Sequence, residues 1–262
     1  MLRPLLLTLA ALTSACTPTQ PPVTPPAAAA SAPAYQYQGS VQRALTFTSK
    51  ITGIEYPYHV YLPVGYAAST ERYPLLVATD GQWSFPAFAR MLDQRRKPMI
   101  LVSIEQGPGD RRAIDYTPKG ATAYMRVLKE ELIPMVEARY RTSGVRSFTG
   151  TSYGGLLGGL LLNAETGEQP YFSHYLLFDA AFWALRREHL QQETQLRAQR
   201  PNLPIHVILS SATMGNERDV KAYAARWQKH GFADLKLDYK SFDLKHDDVG
   251  DPSFDWAIDL IR

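Results

Sequence analysis

The chain has 262 residues, enough for one large domain or two small ones. Hydrophobic residues make up 45% and charged residues 20%, which excludes a mostly disordered chain. The formal net charge of +3 is too mild to argue for nucleic acid or an anionic membrane as a partner, and a single cysteine excludes an intramolecular disulfide framework and any multi-cysteine metal site.

Residues 1–15 read as an export signal. Arg3 supplies a short positive start, residues 4–12 are apolar, and the small residues Thr13, Ser14 and Ala15 precede Cys16. The apolar run falls short of the roughly 20 residues that span a bilayer. Small residues before a lone cysteine resemble a bacterial lipobox, with Thr13 where Leu usually stands. That resemblance makes Cys16 the lipidated first residue of the mature protein. The other reading is ordinary cleavage after Ala15. Thr17, rather than Asp, after the cysteine resembles outer-membrane sorting. The expected location is therefore an outer-membrane lipoprotein facing the periplasm, or else a soluble periplasmic protein. In residues 16–34, prolines at 18, 21, 22, 25, 26 and 33 fix the backbone and remove donors, so an extended spacer is predicted. Residues 35–262 form the predicted folded domain.

Within it, strands and helices alternate. Residues 41–48 and 56–62 are rich in β-branched and aromatic side chains and predict an antiparallel pair about a Thr52-Gly53 turn. Residues 75–79 and 99–104 are short apolar runs, as in strands buried on both faces. Residues 124–140 have helical spacing, with Pro134 predicting a kink or break. Residues 147–149 predict a strand that feeds directly into a helix ending near residue 163. Further buried strands are predicted at 175–178 and 205–209. A helix is expected over 217–230, a last strand over 235–242 and a terminal helix over 254–261. The alternation predicts an α/β fold, a mostly parallel sheet with helices on both faces.

Gly150-Thr151-Ser152-Tyr153-Gly154 matches G-x-S-x-G at a strand-to-helix turn. This pattern presents a nucleophilic serine on a strained backbone, with glycines where a side chain would collide with neighbouring segments. A serine hydroxyl needs a base. His246 follows the last strand in a polar loop, where the base of such a hydrolase belongs. His59 precedes the serine and is excluded by chain order; His174 and His206 read as structural, His189 as solvated helix surface and His230 as a helix C-terminus. The acid that orients the imidazole should follow residues 205–209, which favours Glu217, with Asp219 beside it. Asp179, just past residues 175–178, is a further candidate. Two backbone N–H groups must face the developing oxyanion. One is expected at Tyr153. The other should come from the turn Asp80-Gly81-Gln82-Trp83.

The blocks Tyr-His-Val-Tyr-Leu-Pro-Val-Gly-Tyr (58–66), Tyr-Pro-Leu-Leu-Val-Ala-Thr-Asp-Gly (73–81), Arg-Ala-Ile-Asp-Tyr-Thr-Pro (112–118) and Glu-Leu-Ile-Pro-Met-Val-Glu-Ala-Arg-Tyr (131–140), with the Ser152 turn and a late His, resemble the putative-esterase family of α/β-hydrolases. That family includes siderophore esterases, S-formylglutathione hydrolases and mycolyltransferases. The resemblance runs from about residue 41 to 262. It implies Ser152 as nucleophile, His246 as base, Glu217 as acid, and the Gln82 N–H as second oxyanion donor. One departure is Asp179-Ala180-Ala181-Phe182-Trp183, where the family often has Ser-Pro-Ser before a Trp; an acid there can alter the pocket or the acid assignment. The His246-Asp247-Asp248 loop is also unusually acidic. Arg111 and Arg112 can meet an anionic substrate or pair with Asp115. Trp83, Phe85, Phe182 and Trp183 can line a pocket or fill the core.

The resulting expectation is a serine carboxylic-ester hydrolase working through an acyl-enzyme, with siderophore or aryl esters suggested by the resemblance alone. An acyltransferase with the same triad and a non-catalytic ligand-binding lipoprotein are the other readings. The chemistry requires no metal or organic cofactor. The expected partners are a small-molecule ester and a membrane reached through the Cys16 anchor, with no nucleic acid.

Overall fold

The computed structural model describes residues 35–261, so the predicted export signal, Cys16 and the proline-rich spacer lie outside the described residues. Eight strands follow in chain order: β1 (Ser40–Thr48), β2 (Glu55–Leu62), β3 (Tyr73–Ala78), β4 (Ile100–Ile104), β5 (Thr142–Thr151), β6 (His174–Phe178), β7 (His206–Met214) and β8 (Lys236–Lys245). They form one sheet in the order β1-β2-β4-β3-β5-β6-β7-β8. The β1–β2 and β2–β4 pairs are antiparallel, and every later pair is parallel.

Alternate residues along the central strands divide between two cores, as the two-residue period of a strand requires. Leu75, Val77, Tyr175 and Leu177 enter one cluster, while Leu76, Ala78, Leu176 and Phe178 enter the other. All eight are fully buried, which is why these segments read as unbroken apolar runs. Helix α1 (Gly81–Gln94) and the terminal helix α8 (Gly250–Ala257) cover one face, with Phe88 stacked on Phe254 at 3.8 Å between ring centroids. The short α2 (Arg112–Asp115) leads to the opposite face. There α3 (Ala121–Arg126), α4 (Ile133–Arg139), α5 (Tyr153–Asn163) and α7 (Glu217–His230) contribute to the larger cluster. Among the described residues, no helix is long and apolar enough to cross a membrane.

The structure departs from the sequence-based elements in several places. Residues 81–94, read as the start of a turn, are helical; Asp80 at φ 59° reverses the chain so that the helix starts at once. Helix α6 (Arg187–Gln199) was not anticipated because it lacks an apolar stripe. It is fastened by the fully buried Glu193 side chain, which accepts two hydrogen bonds from Arg226 at 2.5 and 3.0 Å. Pro134 does not break its helix. A π-helical turn over Val127–Leu132 precedes it and absorbs the missing N–H, and α4 then starts with the proline in its first turn. Finally, β7 runs on to Met214, five residues beyond its predicted end, and α8 begins four residues before the expected terminal helix.

Candidate active site

Three adjacent strands, β3, β5 and β6, are each followed within two residues by a residue with positive φ: Asp80 at 59°, Ser152 at 59° and Asp179 at 39°. Such backbone is costly for non-glycine residues and persists only where its surroundings over-determine it. For Ser152 they do. Its N–H donates to Phe178 O at 2.9 Å, and its carbonyl accepts from Ala181 and Leu156 at 3.0 Å each. A Cβ on Gly150 would lie 2.6 Å from the Gly154 carbonyl oxygen and 2.7 Å from Thr79 Oγ1. One on Gly154 would strike the same Thr79 hydroxyl. Gly150 is therefore demanded by close approach of the Gly154 backbone, and both glycines by the Thr79 side chain packed against them.

The serine joins a chain of hydrogen bonds. Ser152 Oγ lies 3.0 Å from His246 Nε2, and His246 Nδ1 lies 2.5 Å from Asp179 Oδ2. His246 opens a single 3-10 turn, His246–Asp248, directly after β8. Its ring is 36% exposed, whereas the Asp179 side chain is fully buried. Asp179 Oδ1 also accepts from the Ala212 and Asn216 N–H groups at 2.9 and 3.0 Å, and Asn216 Nδ2 returns a bond to the Asp179 carbonyl at 2.8 Å. These donors fix the buried carboxylate in position, with Oδ2 turned to the imidazole. Gly215 makes room for it, since a Cβ there would strike Asp179 Oδ2. The hydrogen bond to Asp179 raises the His246 pKa above its ordinary 6.5; burial opposes this, and the Asp179 and Asp247 charges add to it.

This geometry corrects the expected acid. Glu217 does not face His246. It begins α7, and its carboxylate accepts from Ser241 Oγ at 2.5 Å and pairs with Lys221 at 2.9 Å. Because β7 continues to Met214, Glu217 falls in the first turn of a helix directed at β8, while the strand-end position beside the imidazole is taken by Asp179. Asp219 pairs with the exposed Arg218 at 3.6 Å. The sequence signal for Asp179 was its place after residues 175–178 and the departure from Ser-Pro-Ser.

Gln82 and Tyr153 stand in the first turns of α1 and α5, at the ends of the adjacent strands β3 and β5. Neither backbone N–H donates to another described residue. First-turn N–H groups have no intrahelical acceptor and carry the positive end of the helix dipole, which suits a developing oxyanion. The two arginines divide. Arg111 pairs with Asp115 at 2.6 Å. Arg112 instead grips Asp80 through Nε and Nη2, at 2.7 and 3.0 Å, and also donates to Thr151 O at 3.2 Å. This clamp ties the Gln82 turn to the Ser152 turn, and the sequence reading missed it. Trp83 and Trp183 are 62% and 55% exposed, whereas Phe85 and Phe182 belong to the core.

The other histidines are held structurally. His59 bonds Glu105, His206 bonds Asp238, and His230 ends α7. His189, expected on a solvated surface, is buried and accepts the Arg186 N–H at the start of α6. Burial lowers His174 to about 4, helped by the neighbouring His206 and Lys236 charges. Among the described residues, no group of three or more His, Cys, Asp and Glu side chains is arranged to hold a metal ion.

A family model described as "Putative esterase" matches residues 49–234. No curated protein matches the sequence. Among solved structures, an IroE-like serine hydrolase from Shewanella oneidensis has a TM-score of 0.70 at 22% identity, covering 82% of this chain and 77% of that one. The BES protein from Bacillus cereus has a TM-score of 0.71 at 21% identity, covering 83% and 93%. The siderophore hydrolase EstA from Aspergillus nidulans has 0.70 at 19% identity, covering 89% and 98%. At these identities the likeness is one of fold, the α/β-hydrolase arrangement of a mostly parallel sheet with helices on both faces.

Proposed function

The chain belongs to the putative esterase family, and from that premise we propose that it hydrolyses carboxylic esters with Ser152 as nucleophile, His246 as general base and Asp179 as the acid. The observation that carries this reading is the continuous Ser152–His246–Asp179 hydrogen-bond chain. His246 Nε2 takes the Ser152 proton as Oγ attacks the ester carbonyl carbon. The Gln82 and Tyr153 N–H groups receive the oxyanion of the tetrahedral intermediate. His246 then gives its proton to the alcohol oxygen, the carbon–oxygen bond breaks, and an acyl-serine remains. A water deprotonated by the same imidazole attacks the acyl carbon. Ser152 leaves with the returned proton, so one ester and one water become one acid and one alcohol. Asp179 keeps Nδ1 protonated and stabilises the imidazolium without itself taking a proton.

Hydrolysis of p-nitrophenyl butyrate by the full chain, with and without an added acceptor alcohol, tests the reading. Free butyrate is expected in both cases. Butyryl transfer to the alcohol as the dominant product would make the protein an acyltransferase, and no turnover by folded protein would favour a binder.

The base must be neutral to accept the proton, so kcat/KM falls as pH drops through the His246 pKa. Asp247 is among the charges that raise that pKa. Asp247→Asn is therefore expected to move the acid limb of the kcat/KM profile to lower pH, read from a pH series on a neutral ester. A limb that stays in place or moves upward would contradict the assignment of His246 as base.

A further inference from the structure

A cavity of about 340 Å³ lies between α3, α5 and α6, and it shares no lining residue with the one into which Ser152 and His246 open. Asn163, at its border, ends α5, about 15 Å along the helix from the turn that carries Ser152. The volume falls within the range of small-molecule sites and far exceeds what a single water needs.

Helix α6 supplies one wall. Positions 189, 192, 196 and 199 repeat at the spacing of one helix face, and all four line the cavity. A face turned to α5 should carry apolar residues. This one carries His189, Gln192, Leu196 and Gln199. The wall contributed by α3 and α5 is apolar at Met125 and Leu160. No lining residue is an Asp, Glu, Lys or Arg. Glu193, buried on the same helix, does not line the cavity and is paired with Arg226.

His189 gives the polarity of the occupant. The residue is only 8% exposed. Its Nδ1 accepts the Arg186 N–H at 2.9 Å, so the ring is the neutral tautomer that carries its proton on Nε2. That N–H has no partner among the described residues. With the Nδ1 edge turned to the start of α6, the Nε2 edge is left to the cavity that the ring lines. Asn163 Nδ2 donates to the His189 carbonyl at 3.2 Å and holds the residue there.

We propose that this cavity binds a neutral sugar. A pyranose supplies a hydroxyl acceptor for the His189 N–H. It supplies donors and acceptors for the Gln192 and Gln199 amides, and a C–H face for Met125 and Leu160. An anionic or cationic ligand would leave its charge unpaired against an uncharged lining. A methyl glycoside has about 13 non-hydrogen atoms, and at ordinary ligand efficiency that corresponds to a Kd of about 1 mM.

The test titrates the full chain with methyl β-D-glucopyranoside, N-acetylglucosamine, protonated glucosamine and glucuronate, following the histidine ring N–H signals by proton–nitrogen NMR. Saturable binding of a neutral sugar at about 1 mM is expected, with a shifted His189 Nε2–H signal and charged sugars at least about tenfold weaker. Gln192 is exposed on α6, so its replacement leaves the helix in place. Gln192→Ala should weaken the neutral sugar about threefold to tenfold. Gln192→Glu should raise glucosamine relative to the neutral glycoside. The proposal is overturned if neither neutral sugar saturates, if glucuronate or glucosamine binds the parent chain as tightly, or if Gln192→Ala leaves the affinity unchanged. Binding is read without turnover, so its result is independent of the ester-hydrolase reading.

Discussion

Replacing Ser152 with alanine is expected to lower kcat for ester hydrolysis by about 10⁶-fold, the scale on which triad hydrolases lose activity when the nucleophile is removed. The change deletes one oxygen and leaves the scaffold in place. Alanine has the same φ constraint as serine, and the turn is held by backbone bonds from Ser152 to Phe178, Ala181 and Leu156. The His246–Asp179 pair does not depend on the hydroxyl. Folding should therefore survive, and the loss should appear in steady-state turnover with an unchanged unfolding transition. A rate within about tenfold of the parent would show that the serine is not the nucleophile.

Asp179→Asn is expected to reduce kcat by about 10⁴-fold while preserving the fold. The argument lies in the donors around the side chain. Two of them, the Ala212 and Asn216 N–H groups, converge on Oδ1. An asparagine satisfies both by placing its carbonyl oxygen there, and asparagine tolerates positive φ better than most residues. Its NH₂ group must then face His246 Nδ1. That nitrogen becomes an acceptor, Nε2 carries the proton, and the imidazole presents a donor to Ser152 instead of a base. The loss is a tautomer error, so kcat should collapse with little change in the unfolding transition. Gly215→Ala should act on the same place by steric means, since its Cβ would strike the Asp179 carboxylate.

The fold was largely legible because the central strands are buried on both faces. Runs such as Leu75, Leu76 and Val77 have no polar face to confuse with a helix. Ser152 was legible because its turn leaves a signature within five residues of sequence, although the contacts that demand glycine there come from the Gly154 backbone for Gly150 and from the distant Thr79 side chain for both glycines. Helix α6 was not, because its anchor is an ion pair to Arg226, 33 residues away, rather than an apolar stripe. The acid was misplaced by the same kind of distance. Glu217 and Asp179 both follow strands, and only the length of β7 and the room left by Gly215 decide which of them reaches the imidazole. Arg112 was set beside Asp115 by sequence proximity, but the folded chain hands that partner to Arg111 and brings Asp80, 32 residues away, to Arg112.

The most direct test of this arrangement is to measure kcat/KM for p-nitrophenyl butyrate with Asp179→Asn and Glu217→Gln side by side, at a pH above the His246 titration. The geometry predicts a loss of about 10⁴-fold for the first. It predicts a change within about twofold for the second, as for a substitution at a partly exposed ion pair. The reverse order, with Glu217→Gln nearly inactive and Asp179→Asn nearly intact, would contradict the assignment of Asp179 as the acid that holds His246.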